Sequence, residues 1–187
     1  MTRTTKKSAT KKSAKKKAKA KSAAKKPVPK ARSARGKTWQ LFTIGYEQAK
    51  PAAVFEELRQ AKIDTLVDVR AVAASRRPGF SKRQLAASLD ETGIAYLHFQ
   101  KLGTPAEGRQ AARAGDRAML RAIYEKHIRK PGPQAELGEL ADLVRTGKRI
   151  ALLCYCRNPQ ACHRWQICTH LEARLPLKVE DLIPPLF

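Results

Sequence analysis

Residues 151–171, ALLCYCRNPQACHRWQICTHL, hold all four cysteines of the chain and two of its four histidines. Thiolates are nucleophiles and soft metal ligands, and imidazole moves protons or binds metal, so sulfur chemistry is concentrated here. Cys154 and Cys156 are two apart, which on a strand points both side chains the same way, and Cys162 and His163 follow just before a helical pattern. Two chemistries fit these types. In one, Cys154 or Cys162 is the thiolate, His163 its acid/base and Arg164 an anion holder, aided by free amides of a helix starting near Gln160. In the other, C-x-C-x5-C-H offers four soft ligands to zinc as a structural module. That spacing is not one of the paired finger spacings, so no residue is assigned to a metal from the sequence alone. Cys168 reads as core and His170 as facing solvent or a neighbouring helix.

Chemically capable residues elsewhere follow short apolar runs. Runs at 39–46, 63–70, 94–99, 148–156 and 177–184 read as strands. Helical patterns fill 50–62, the stretch from the N-cap Ser81 to Gly93, 116–130, 134–147 and 160–175, while 101–115 reads as a long polar connection and Pro131 to Pro133 as a break. Alternating strands and helices with continuous apolar strands predict an α/β fold, a three-layer sandwich around a mostly parallel sheet of about five strands. Ligands of such sheets sit beyond the carboxyl ends of the strands. Those ends carry Gly45, Tyr46 and Glu47, then Asp68 and Arg70, then His98 and Lys101, then Cys154 and Cys156. Arg76 lies in the Pro-Gly loop after the second strand. The reading is one pocket for an anionic small molecule, with Asp68 as orienting carboxylate, Arg70, Arg76, Lys101 and Arg164 as cations, and Gly45 and Tyr46 at its wall. The bland alternative for Asp68 and Arg70 is a structural ion pair.

The blocks TIGYEQ, LVDVR, SRRPGFSK, GIAYLHFQKLGTP and LLC followed by CHR resemble, in order, the signatures of the family called domain of unknown function 488, over about Thr43 to Leu175. The resemblance implies an α/β domain and a shared pocket without a settled activity, and leaves the cofactor unknown. One position departs: members usually carry an acidic residue where this chain has Cys156. The cysteine segment also resembles, in outline, the loops of rhodaneses and tyrosine phosphatases. It lacks their Cys-x5-Arg spacing, since the sixth position after Cys156 is Cys162 and after Cys154 is Gln160.

The N-terminal stretch is different in kind. Of the net charge of +23, sixteen positive residues and no acidic one precede Trp39, leaving +7 for 39–187. Residues 1–37 therefore read as a disordered basic tail and 38–187 as the α/β domain. The tail resembles the Lys/Ala-rich tails of histone H1-like proteins, and Lys11, Lys12, Lys15, Lys16 and Lys17 are its densest cluster. Such a polycation contacts nucleic acid or another polyanion through counterion release, without reading a base. No run reaches the roughly 18 apolar residues of a membrane span, and clustered cysteines do not form a disulfide framework. The expected setting is the reducing cytoplasm, at the nucleoid if the tail meets DNA, with no membrane partner.

Overall fold

The central strands are apolar over most of their length, which commits them to burial on both faces and their amides to neighbouring strands. In the computed structural model, which describes residues 1–2 and 36–186, five parallel strands form one sheet in the order β3-β2-β4-β1-β5. They are β1 (Trp39–Gly45), β2 (Thr65–Asp68), β3 (Ala95–His98), β4 (Ile150–Cys154) and β5 (Leu177–Leu182). Every residue of β2 and β4 is buried, whereas β3 at the sheet edge alternates exposed and half-buried. The nucleic-acid contact expected of Lys11, Lys12 and Lys15 to Lys17 lies outside the described residues.

Helices α1 (Pro51–Gln60) and α2 (Lys82–Asp90) cover one face, where Val54, Leu58, Leu85 and Leu89 meet Phe42, Ile44, Leu66, Ala151 and Leu153. The opposite face packs Leu41, Val67, Ile150 and Leu152 against α4 (Arg117–Ile128), α5 (Pro131–Arg145) and α6 (His163–Glu172). The expected three-layer α/β architecture follows from this division of alternate strand residues between two cores, with the sheet wholly parallel.

Three local differences have plain causes. The stretch read as a polar connection contains α3 (Ala106–Arg113), whose Gly108 faces Thr104, Leu120 and Ile123; small apolar residues among charges mask its amphipathic period. Pro131 opens α5 instead of breaking it, because first-turn amides need no intrahelical partner. Ser81 does occupy the N-cap of α2, but its hydroxyl donates to the Ser75 carbonyl at 3.0 Å and makes no cap bond.

The strand order has one functional consequence. β4 inserts between β1 and β2, so that Gly45 pairs with Cys154 and Asp68 with Leu153. The last residues of three strands thus lie side by side.

Candidate functional site

Asp68 ends β2 fully buried, where an unpaired carboxylate would be costly. It is satisfied from four directions. Oδ1 accepts from the Arg70 amide at 3.0 Å and Arg70 Nε at 2.8 Å; Oδ2 accepts from Arg70 Nη2 at 2.6 Å and the Tyr96 hydroxyl at 2.7 Å. Arg70 Nη1 donates to the Tyr46 hydroxyl at 2.8 Å and the Phe80 carbonyl at 2.9 Å. Four of the five guanidinium hydrogens are committed in these bonds. Burial opposes the charge on Arg70, but Asp68 outweighs it and the guanidinium pKa is raised. Burial, then the bond to Asp68, pushes the Tyr96 phenol up as well. Tyr46 is itself core, stacked on Phe80 at 4.2 Å between ring centroids. The pair ties together β1, β2, β3 and the loop before α2.

The sulfur constellation occupies the other face. Cys154 continues the parity of Ile150 and Leu152, toward α6. Cys162, in extended backbone at φ −122°, is the N-cap of α6, so the helix starts at His163 rather than near Gln160; a 3-10 turn, Pro159–Ala161, precedes it. His163 Nε2 lies 2.9 Å from the Val69 carbonyl and therefore donates to it, which leaves Nδ1 facing Cys154 Sγ at 3.7 Å and Cys162 Sγ at 3.5 Å. Tyr124 packs its ring 5.2 Å from the imidazole. Cys154, Cys162, His163 and Arg164 are all buried and Cys156 is half-buried.

Arg164 is 1% exposed, and among the described residues no carboxylate pairs with it. Its Nη2 donates to the Cys156 carbonyl at 2.7 Å, while Nε and Nη1 meet no acceptor with hydrogen-bond geometry. Burial opposes its charge, yet the neighbouring sulfurs, Cys162 first, hold its pKa up. Burial likewise opposes the Cys162 thiolate, but bonds from Cys154 and Cys156 and the charges of His163 and Arg164 hold that thiol well below its ordinary value. The same sulfurs overcome burial and raise His163. The neighbouring Cys154 and Cys162 sulfurs, then burial, raise Cys156. Burial lifts Cys168, inside the α-helical core, to about 12. Gly45 admits this arrangement by having no side chain, since a Cβ there would lie 1.9 Å from the Cys156 carbonyl oxygen.

The residues expected in one pocket thus form two constellations, Asp68, Arg70 and Tyr46 on the α1/α2 side and Cys154, Cys162, His163 and Arg164 on the α6 side. Side-chain alternation is the reason: Asp68 pairs with Leu153, so Cys154, one residue on, points to the opposite face. Lys101 lies along Gly132 at the start of α5, and Arg76 is exposed on the loop before α2. Sequence reasoning missed Tyr96, Tyr124 and the Val69 and Phe80 carbonyls. An aromatic among apolar residues carries no mark of its hydroxyl's partner, and a carbonyl carries no sequence signal at all.

Between β2, β3 and the start of α2 opens a groove of about 500 Å³, lined by residues 71–74, Ser81, Lys82, Arg83, His98 and Gln100. His98 Nε2–H donates to the Arg70 carbonyl at 2.9 Å, and the Lys82 ammonium donates to Nδ1 at 3.4 Å. A second groove of about 430 Å³ lies beyond β1, where Glu47 accepts from the Arg157 amide at 3.0 Å. No helix among the described residues is long and apolar enough to cross a membrane.

No curated protein matches the sequence. The model of the family described as Domain of unknown function DUF488 matches residues 50–171, from the N-cap of α1 to the last turn of α6, thereby enclosing β2, β3, β4, the Asp68–Arg70 pair and the sulfur constellation, while Tyr46 precedes it. Since that match covers well over half of the chain, this protein belongs to the DUF488 family.

Proposed function

We propose that this protein binds anionic ligands at the carboxyl edge of its sheet, a phosphate-bearing molecule in the groove beside β2 and β3, with the Lys-rich residues 1–37 engaging nucleic acid as a separate arm. The observation that carries the reading is the groove's lining: Lys82, Arg83 and His98 contribute to it and no carboxylate does. Cations facing one concavity concentrate anions there, and the amino-terminal end of the α2 dipole adds a partial positive charge, although the Lys82 amide is already spent on the Ala73 carbonyl at 2.9 Å. The β1 groove is less suited, because Glu47 lies in it and the Arg157 side chain already donates to the Pro184 carbonyl at 2.6 Å. Neither Cys154 nor Cys162 lines the groove, so holding a ligand rather than thiol attack is the chemistry it supports. The arm supplies affinity without base readout, and its setting would be cytoplasmic, at the nucleoid when the polyanion is DNA.

Fluorescence anisotropy of labelled oligonucleotides and of a labelled nucleotide, over a salt series, tests both parts. Removal of residues 1–37 should weaken oligonucleotide binding by about tenfold or more and flatten its salt dependence. In the truncated domain, Lys82→Glu with Arg83→Glu should abolish nucleotide binding. Equal oligonucleotide affinity after truncation sinks the arm, and nucleotide binding that survives charge reversal sinks the groove.

A further inference from the structure

The sulfur constellation has the shape of a coordination sphere. The Sγ atoms of Cys154, Cys156 and Cys162 all lie within 4.8 Å of one another, and His163 Nδ1 approaches two of them at 3.7 and 3.5 Å. A zinc ion about 2.3 Å from sulfur and about 2.0 Å from nitrogen, with tetrahedral angles, sets sulfur–nitrogen edges of about 3.6 Å and sulfur–sulfur edges of about 3.8 Å. The two imidazole contacts, to Cys154 and Cys162, straddle the first of these edges, whereas the sulfurs, within 4.8 Å of one another, must draw together to reach the second and bring Cys156 toward the imidazole. Cys156, in the loop beyond β4 and half-buried, is the ligand with room to adjust.

Two further features fit an ion and fit a nucleophile poorly. The bond from His163 Nε2 to the Val69 carbonyl at 2.9 Å commits that nitrogen, so Nδ1 is the one left toward the sulfurs and would ligate an ion on giving up any proton it carries, the outer-partner arrangement that orients metal-bound histidines. Arg164 is buried with two nitrogens lacking partners and no carboxylate beside it among the described residues. Three thiolates around a divalent cation leave one net negative charge, which a single guanidinium cancels. Neither of the two strand-end grooves is lined by the cluster's sulfurs, and only Cys156 of the three is more than slightly exposed.

We infer that Cys154, Cys156, Cys162 and His163 bind one divalent ion of the zinc class, with Arg164 neutralising the charged centre. The site joins β4, its following loop and α6, and so fixes the carboxyl end of the central strand. It is independent of the anion groove, which lies beside β2 and β3.

The test is a titration of the full chain, reduced and stripped of metal, with cobalt(II). The expected result is saturation at one ion per chain, with thiolate-to-cobalt charge-transfer absorption and the visible bands of tetrahedral cobalt, bleached by added zinc. Cys156→Ser should weaken binding by about tenfold or more and reduce the charge-transfer intensity, and Arg164→Met should weaken it by about tenfold through an outer-sphere effect. Cys168→Ser should leave both unchanged. Absence of charge-transfer bands in the folded wild-type chain, or bands that persist unaltered in Cys156→Ser and Cys162→Ser, overturns the assignment. The decisive spectrum is that of the wild type, so misfolding of a variant leaves the test intact.

Discussion

Replacing Arg70 by Met tests whether the buried Asp68–Arg70 pair is architecture or a ligand-holding device. The substitution keeps much of the side chain's apolar bulk but removes two charge-assisted bonds to Asp68 and the donors of Tyr46 and Phe80. Asp68 keeps the Arg70 amide and the Tyr96 hydroxyl, so its loss is partial. Two bonds to a charged group at about 1.5–3 kcal/mol each give roughly 3–6 kcal/mol, in line with the roughly 3–5 kcal/mol for breaking a buried ion pair. For a domain of this size, at about 2–4 °C per kcal/mol, that corresponds to a fall in Tm of about 6–24 °C. Urea unfolding followed by circular dichroism should show a lower midpoint at unchanged slope. Adding Asp68→Asn removes the stranded charge, so the double variant should cost less than the sum of the singles by about 2 kcal/mol. A loss for Arg70→Met below about 1 kcal/mol, with no coupling to Asp68, would refute this reasoning. Nucleotide affinity of Arg70→Met, measured where the variant remains folded, should be unchanged; a large loss at wild-type stability would make Arg70 an anion holder.

Gly45→Ala drives a Cβ to 1.9 Å from the Cys156 carbonyl oxygen, a backbone atom that cannot simply rotate away, so unfolding midpoints should report a loss of roughly 1–3 kcal/mol or more. A neutral result would mean that the loop after β4 is not held against β1. Cys168, with its thiol pushed to about 12 by burial in the α-helical core, should resist iodoacetamide at pH 8 until the chain is unfolded, as mass spectrometry of alkylated peptides would reveal. Asp116 caps α4 by accepting from the Met119 amide at 2.8 Å, and Asp116→Ala should cost about 1 kcal/mol in urea melts without affecting anion or cobalt binding.

Much of the architecture was legible because central strands of a parallel sheet must be apolar on both faces. IALLC and TLVD declare themselves as buried strands, and the polar stretches that follow them mark the carboxyl edge of the sheet. Where the pattern is weak, as in the Ala-rich α3, local composition hid a helix that only packing on α4 reveals.

By itself the sequence determined the α/β class, the alternation of elements, the concentration of positive charge before Trp39 and the residues at the strand ends. These depend on local periodicity and composition, which each segment carries alone. Only the tertiary structure decided that β4 lies between β1 and β2, and that Asp68 pairs with Leu153. That register is a relation between segments 85 positions apart, written in neither of them. Because side chains alternate across a sheet, it sends Asp68 to one face and Cys154 to the other, dividing one expected pocket into a buried ion pair and a sulfur centre.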